Sequence, residues 1–258
     1  MSLPPEAFWH ELADAADRES MARFRAGASI DSKIGDGGFD PVTEGDRAAE
    51  RAIRSLIERD YPDHAILGEE HGATGEGPYR WVIDPIDGTR AFIAGLPTWM
   101  TLIGLESDGM AVAGLASQPV TGERFLATGE GGACMFRQGE SSPLRVSRCE
   151  NPSNAIAMTT DPYLFRGDEV GKHGRMRDAV RLLRYGTDAY GFCALAAGSV
   201  DIAFERGVQP YDICALIPIV EAAGGIVTTW RGERAEAGGD VVACATPALH
   251  EWALRLLG

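Results

Sequence analysis

The 258 residues carry 24 Lys+Arg against 38 Asp+Glu, a formal charge of −14, and 45% are hydrophobic. The excess of acids argues against sequence-independent binding to nucleic acid, where neutralising phosphates dominates affinity, and against docking on an anionic membrane surface. The length suits one large domain or two intimate sub-domains, and no apolar run approaches the roughly 18–20 residues of a membrane span.

In chain order, Phe8, Leu12, Ala15 and Ala16 share one face at helical spacing, which predicts a helix that frays near Arg25–Gly27. The same segment has acids where a secretory signal needs a basic start and an apolar stretch, so the expected compartment is the cytoplasm. Residues 29–45 read as a strand end and a loop, broken by Gly35, Gly37, Gly38 and Pro41. Thr43 is placed to cap a second helix, with Asp46 in its first turn and Ala49, Ile53, Leu56 and Ile57 as its apolar stripe. Ala65–Leu67 and Trp81–Ile83 are short apolar runs leading into acids, expected as buried strands. Thr101–Leu105, Ala111–Ser117 and Arg124–Ala127, separated by Asp108-Gly109 and Thr121-Gly122, predict an antiparallel meander.

In the second half the pattern predicts helices over Met176–Leu183, Phe192–Ala197, Asp212–Ala223 and Ala248–Leu257, with strands over Asp201–Glu205 and Ile226–Thr229. Gly139 to Ser153 is polar and holds two prolines. It is the expected seam within a single domain, between sub-domains of approximately 1–140 and 141–258. The five cysteines are odd in number and widely spaced without a CxxC pair, which predicts free thiols rather than a zinc ribbon or disulfide framework. The whole reads as layered α+β or α/β.

The chemistry concentrates in three strings. In Trp81-Val-Ile-Asp84-Pro85-Ile86-Asp87-Gly88-Thr89-Arg90, an apolar strand delivers two carboxylates at its end, and Pro85 and Gly88 force a turn. Such a turn can aim Asp84, the Ile86 carbonyl and Asp87 at one point, as a hard divalent cation requires. The amides of Gly88 and Thr89 would stand at a helix start, a natural phosphate site. The bland alternative is that Asp-Pro and Asp-Gly are common turn formers. Gly68-Glu69-Glu70-His71 alone reads as a solvated loop, and Asp212 in Gln209-Pro210-Tyr211-Asp212-Ile213-Cys214 alone reads as a helix N-cap.

Taken together, the three strings resemble the inositol monophosphatase-like superfamily of metal-dependent phosphatases, over roughly Lys33 to Gly225. The resemblance implies a five-layer αβαβα sandwich with a six-stranded, mainly antiparallel sheet, a smaller mixed sheet and the metal site between them. It implies Glu69, Asp84, Asp87 and Asp212 as side-chain metal ligands, with Ile86 giving its carbonyl. It pairs Thr89 with Glu69 to orient the attacking water, supported by Asp46, and places Glu205, seven residues before Asp212, against the substrate. Lys33 corresponds to a basic residue on the first loop. Two or three Mg²⁺ ions, with Mn²⁺ as a substitute, would supply the catalysis that phosphate monoester hydrolysis needs. Lithium sensitivity and a homodimer are implied too.

Three further stretches resemble the histidinol-phosphate phosphatase branch: Arg90 to Trp99, Arg184-Tyr185-Gly186-Thr187-Asp188-Ala189-Tyr190, and Pro210-Tyr211-Asp212 with Tyr where many inositol phosphatases carry Trp. That branch implies hydrolysis of L-histidinol phosphate in histidine biosynthesis. The substrate side would then include Ile86, Asp87, Gly88, Thr89, Arg184, Asp188, Glu205 and Asp212. The alternative for Arg184 is an ordinary arginine at a helix end. The alternative activities are hydrolysis of inositol 1-phosphate or adenosine 3′,5′-bisphosphate, and the non-enzymatic alternative is a metal-dependent binding or regulatory protein.

Overall fold

The computed structural model describes residues 3–26, 30–32 and 41–258. Helix α1 (Glu6–Met21) buries Phe8, Trp9, Leu12, Ala13 and Ala16, a stripe at spacings of three and four. Strands β1 (Ile30–Ser32) and β2 (Pro41–Thr43) pair antiparallel. Lys33 and the expected loop breakers Gly35, Gly37 and Gly38 lie outside the described residues. Helix α2 (Glu44–Asp60) starts where expected: Thr43 Oγ1 accepts the Gly45 amide at 3.0 Å and Asp46 Oδ2 accepts the Thr43 amide at 2.8 Å.

The chain then builds β3 (Ala65–Gly68), β4 (Gly72–Thr74), β5 (Tyr79–Asp87), the short helix α3 (Thr89–Ala94), and a meander of β6 (Met100–Ser107), β7 (Met110–Gln118), β8 (Glu123–Thr128), β9 (Ala133–Arg137) and β10 (Glu140–Pro143). These strands form one eight-stranded sheet in the order β10-β9-β8-β7-β6-β5-β3-β4, antiparallel except for the parallel β3–β5 pair. The expected count of six falls short because the short β4 and the exposed β10 extend the two edges.

The second part runs β11 (Ile156–Thr159), α4 (Glu169–Ala179), β12 (Leu182–Tyr185), α5 (Asp188–Ala196), β13 (Ile202–Val208), α6 (Pro210–Ile213), α7 (Leu216–Ala222), β14 (Ile226–Thr229), β15 (Gly239–Cys244) and α8 (Pro247–Leu257). Its five strands form a mixed sheet ordered β12-β11-β13-β15-β14. Two expectations are corrected here. The helix predicted over Met176–Leu183 ends at Ala179, and Leu182-Leu183 belong to β12, paired parallel to Ile156-Ala157. Two leucines satisfy a helical stripe and a strand equally well, and pairing decides. The helix predicted over Asp212–Ala223 is broken between α6 and α7, because Pro218 has no amide hydrogen for the Cys214 carbonyl and fits only the first turn of a new helix.

Strand periodicity sorts the core into layers. Ile103 and Leu105 of β6 face α1 and α2, packing with Trp9, Leu12, Ile53 and Ile57. Met100 and Leu102 point the other way, into a core shared with α5, α7 and the inner face of the second sheet through Phe192, Leu216, Ile219, Ala203 and Ala243. The outer face of that sheet packs Phe204, Val242 and Cys244 against Met176 of α4 and Leu249 and Ala253 of α8. The order is helix, sheet, helix, sheet, helix. All five cysteines are free thiols. No helix among the described residues is long and apolar enough to cross a membrane.

Candidate metal and phosphate site

The site forms where β5 ends. In a regular strand, residues three apart point to opposite faces, so Asp84 and Asp87 could not share a target. Pairing shows how they do: Asp84 lies opposite Leu102 and Asp87 opposite Met100, so three residues of β5 span two of β6, a bulge. Inside it, Asp84 Oδ1 accepts the Ile86 amide at 3.0 Å. Gly88 then turns the chain into α3 at φ 81° and ψ 41°, a conformation glycine adopts without a steric penalty.

Asp212 comes from the other side, on α6. It is not the N-cap: Gln209 holds that position, and Asp212 Oδ2 accepts the Gln209 amide at 2.7 Å. Carboxylate oxygens of Asp84, Asp87 and Asp212 all lie within 4.8 Å of one another. Burial, followed by the charges of Glu69, Asp87 and Asp212, pushes Asp84 well above the usual carboxylate range. Burial, then Asp188 and Asp212, does the same to Asp87, and burial raises Asp212 to about 7. Three converging acids, one of them fully enclosed, repel one another unless protonated or neutralised by a cation. An all-oxygen donor set fits a hard divalent ion.

Glu69 follows β3, which runs parallel to β5. Its amide donates to the Ile83 carbonyl at 3.1 Å, and its carboxyl is hydrogen-bonded to that of Asp84. Glu69 is not one of the three mutually close acids but stands beside them. Thr89 Oγ1 donates to the Ile86 carbonyl at 3.2 Å, leaving its lone pairs free to accept. Asp46 is buried, and its Oδ2 accepts the Thr43 hydroxyl at 2.5 Å as well as the Thr43 amide. Burial is the main reason its pKa is raised, with the charge of Glu69 a lesser one.

Asp188 opens α5 at φ 42°, and the next amide, that of Ala189, donates to Asp87 Oδ2. Glu205, on β13, is 6% exposed and accepts the Thr160 amide at 2.6 Å and the Thr160 hydroxyl at 3.0 Å. Burial lifts it to about 8. The Thr160 hydroxyl also hydrogen-bonds Asp188, whose pKa is raised by burial despite that bond and the nearby Arg90. Asp87, Asp188, Glu205 and Asp212 line one cleft of about 170 Å³, with Leu164 and Phe192 as its apolar wall. Arg184 is elsewhere: it is exposed on the edge strand β12, opposite Met158, not at a helix end, and does not line this cleft. A larger cleft of about 770 Å³ lies against α1, but none of these acids lines it, and of its own acids Asp14 and Asp17 are already bonded to Arg124 at 2.5 and 2.7 Å.

Sequence reasoning missed Thr160 and Asp161, which stands 3.9 Å from Arg90. The available signal was the apolar run of β11 ending in Thr159-Thr160-Asp161, the same strand-then-polar pattern that marked Asp84.

A family model described as the inositol monophosphatase family matches residues 6–258. The chain belongs to the inositol monophosphatase family and is a metal-dependent phosphatase. It is 38% identical to the bifunctional phosphatase IMPL2, chloroplastic, of Arabidopsis thaliana, over 97% of this chain and 74% of that protein. It is 38% identical to a histidinol-phosphatase of Streptomyces coelicolor, over 96% and 94% of the two chains. An inositol monophosphatase from Zymomonas mobilis superposes with a TM-score of 0.85 at 35% identity, covering 97% of this chain and 96% of that one.

Proposed function

We propose that this phosphatase hydrolyses L-histidinol phosphate to L-histidinol and phosphate, with Mg²⁺ as its cofactor. The observation that carries the reading is Asp188, an acid in the cleft beyond the three clustered carboxylates; Arg206, which also lines that cleft, is ion-paired with Glu169 at 2.6 Å. Asp188 and Glu205 line the cleft beside Asp87 and Asp212; Glu205, lifted to about 8, is mostly uncharged near pH 7, and the Asp188 carboxylate suits an ammonium or imidazolium better than it suits neutral hydroxyls. The histidinol-phosphatase name of the Streptomyces relative supports it.

In this reading Glu69, Asp84, Asp87 and Asp212 hold the metal with the Ile86 carbonyl. Bound magnesium supplies Lewis-acid stabilisation of phosphate charge and activates water at neutral pH. Thr89 and Glu69 orient the attacking water, Thr89 by accepting its hydrogen bond, and the amides of Gly88 and Thr89 hold a phosphate oxygen. Asp46 fixes the start of α2 beside Glu69. Asp188 faces the substrate cation, and Arg184 at the outer edge has a part only if the substrate or a second copy reaches it. A homodimer belongs to the same reading and is measurable by light scattering.

The test is phosphate release from histidinol phosphate, inositol 1-phosphate and adenosine 3′,5′-bisphosphate, each with and without Mg²⁺. The expected result is Mg²⁺-dependent turnover with the highest kcat/KM on histidinol phosphate. The Zymomonas likeness favours inositol 1-phosphate as the second reading, and faster turnover of that substrate would replace the first.

A further inference from the structure

Glu50 lies in the middle of α2 with no exposed surface, between the core positions Ala49 and Ile53. A glutamate there is buried in a helix that otherwise packs apolar side chains on the sheet. Its carboxylate is fully engaged. Arg54, one turn on and 7% exposed, donates to it at 2.7 Å. The Glu70 amide donates to Oε2 at 2.7 Å and the His71 amide to Oε1 at 3.2 Å. Gly68 is pressed against it: a Cβ on Gly68 would stand 1.9 Å from Glu50 Oε1, so no larger residue fits without displacing the carboxylate. Arg54 continues the grip, donating to Thr74 Oγ1 at 2.9 Å and to the Gly72 carbonyl.

The pair therefore holds the turn and its β4 limb by hydrogen bonds and packs against Gly68 at the end of β3, and the residue between Gly68 and Glu70 is Glu69. A buried ion pair is weak support for stability as such, since apolar residues of equal volume often serve as well. What this pair does that apolar residues could not is satisfy two consecutive amides of one short turn.

We propose that Glu50, held by Arg54, is a positioning residue that fixes the Glu69 carboxylate for metal. The proposal rests on the reading of Glu69 as a metal-site residue. Groups that orient metal ligands typically change metal affinity or activity by about 10- to 100-fold when altered. Glu50→Gln keeps the shape but leaves one turn amide facing an NH₂ group instead of an acceptor.

The experiment measures Mn²⁺ binding to the metal-stripped full chain by calorimetry, with kcat and KM in Mg²⁺ alongside, for the unmodified protein, Glu50→Gln, Glu69→Gln and Ile57→Ala. Ile57 is buried on the same helix, faces the core and serves as a control for plain destabilisation. The expected result is Mn²⁺ affinity weakened about 10- to 100-fold in Glu50→Gln, a lower kcat with little change in KM, weakening in Glu69→Gln as well, and unchanged affinity in Ile57→Ala. Gly68→Ala, which pushes the carboxylate off the turn, is measured in the same way and carries the test if Glu50→Gln does not fold. Normal affinity in Glu50→Gln with loss in Glu69→Gln overturns the positioning role alone. Normal affinity in both overturns the metal role of Glu69 and this inference with it. Equal losses in Glu50→Gln and Ile57→Ala assign the effect to stability and overturn the inference.

Discussion

The amide of Ala189 donates to Asp87 Oδ2 at 2.7 Å, joining the start of α5 to the end of β5 across 102 residues of chain. The bond ties the cleft wall that Asp188 begins to the carboxylate cluster, so a shift of α5 moves Asp87. It engages only one oxygen of Asp87.

Asp87→Asn is expected to abolish phosphatase activity while the protein stays folded. The amide oxygen can still accept from Ala189, so α5 stays in place. The change removes one of the mutually repelling charges that raise Asp84, so thermal stability in chelator should not fall. Loss of a charged ligand removes several kcal/mol of transition-state stabilisation. A near-normal kcat at saturating Mg²⁺ would exclude a metal role for Asp87.

Thr89→Ala should lower kcat far more than it raises KM. The hydroxyl already donates to the Ile86 carbonyl, so its remaining capacity is to accept, which suits a water poised for attack. Such an effect belongs to the transition state. A change in KM alone would make Thr89 a binding or capping residue.

Asp188→Asn should cut kcat/KM for histidinol phosphate by about 10- to 150-fold, the equivalent of roughly 1.5–3 kcal/mol for one charge-assisted hydrogen bond. Turnover of inositol 1-phosphate should hardly change. Equal losses on both substrates would reduce Asp188 to a scaffold role through Thr160.

Glu205→Gln should become more thermostable than the parent as pH rises, in chelator. Burial raises the folded pKa of Glu205 from 4.5 to about 8. Its contribution is therefore fully present below pH 4.5 and lost as pH rises through about 8, because over that window the unfolded chain releases a proton that the folded chain keeps. Gln does not titrate. The melting temperatures of the two proteins should lie closest at pH 5 and diverge in favour of Gln by pH 9, at about 2–4 °C per kcal/mol. A constant difference across that range would show that Glu205 is not held protonated.

Lithium should inhibit turnover at millimolar concentration when Mg²⁺ is limiting. Li⁺ is small enough for a Mg²⁺ position and carries half the charge, so it would leave the cluster of Asp84, Asp87 and Asp212 under-neutralised. A flat lithium titration would count against a labile magnesium position.

What the sequence disclosed depended on punctuation. Pro85 and Gly88 mark the turn after an apolar strand, so Asp84 and Asp87 stood out before any pairing was known. Asp212 alone read as a helix N-cap, and only the resemblance carried by the three strings together made it a ligand candidate. Glu50 did not stand out, since Glu50 and Arg54 at spacing four look like an ordinary solvated pair, and only the packing of α2 over the β3–β4 turn shows that the pair is buried. The extra residue of β5 is equally invisible, because a bulge is a property of two strands. Arg184 was expected on the substrate side, with a helix end as the alternative; both fail because Leu182 and Leu183, which continue the helical period of α4, pair parallel with β11 on an edge strand, a long-range event that no local pattern announces.

The backbone of Asp188 sits at φ 42°, in a region that glycine enters freely, asparagine and aspartate tolerate, and β-branched side chains avoid. This position in the cleft wall therefore draws on a short alphabet. Substitution here can pass through Asp, Asn and Gly without straining the backbone. Any step to a bulky apolar side chain must first rebuild the turn that also aims the Ala189 amide at Asp87.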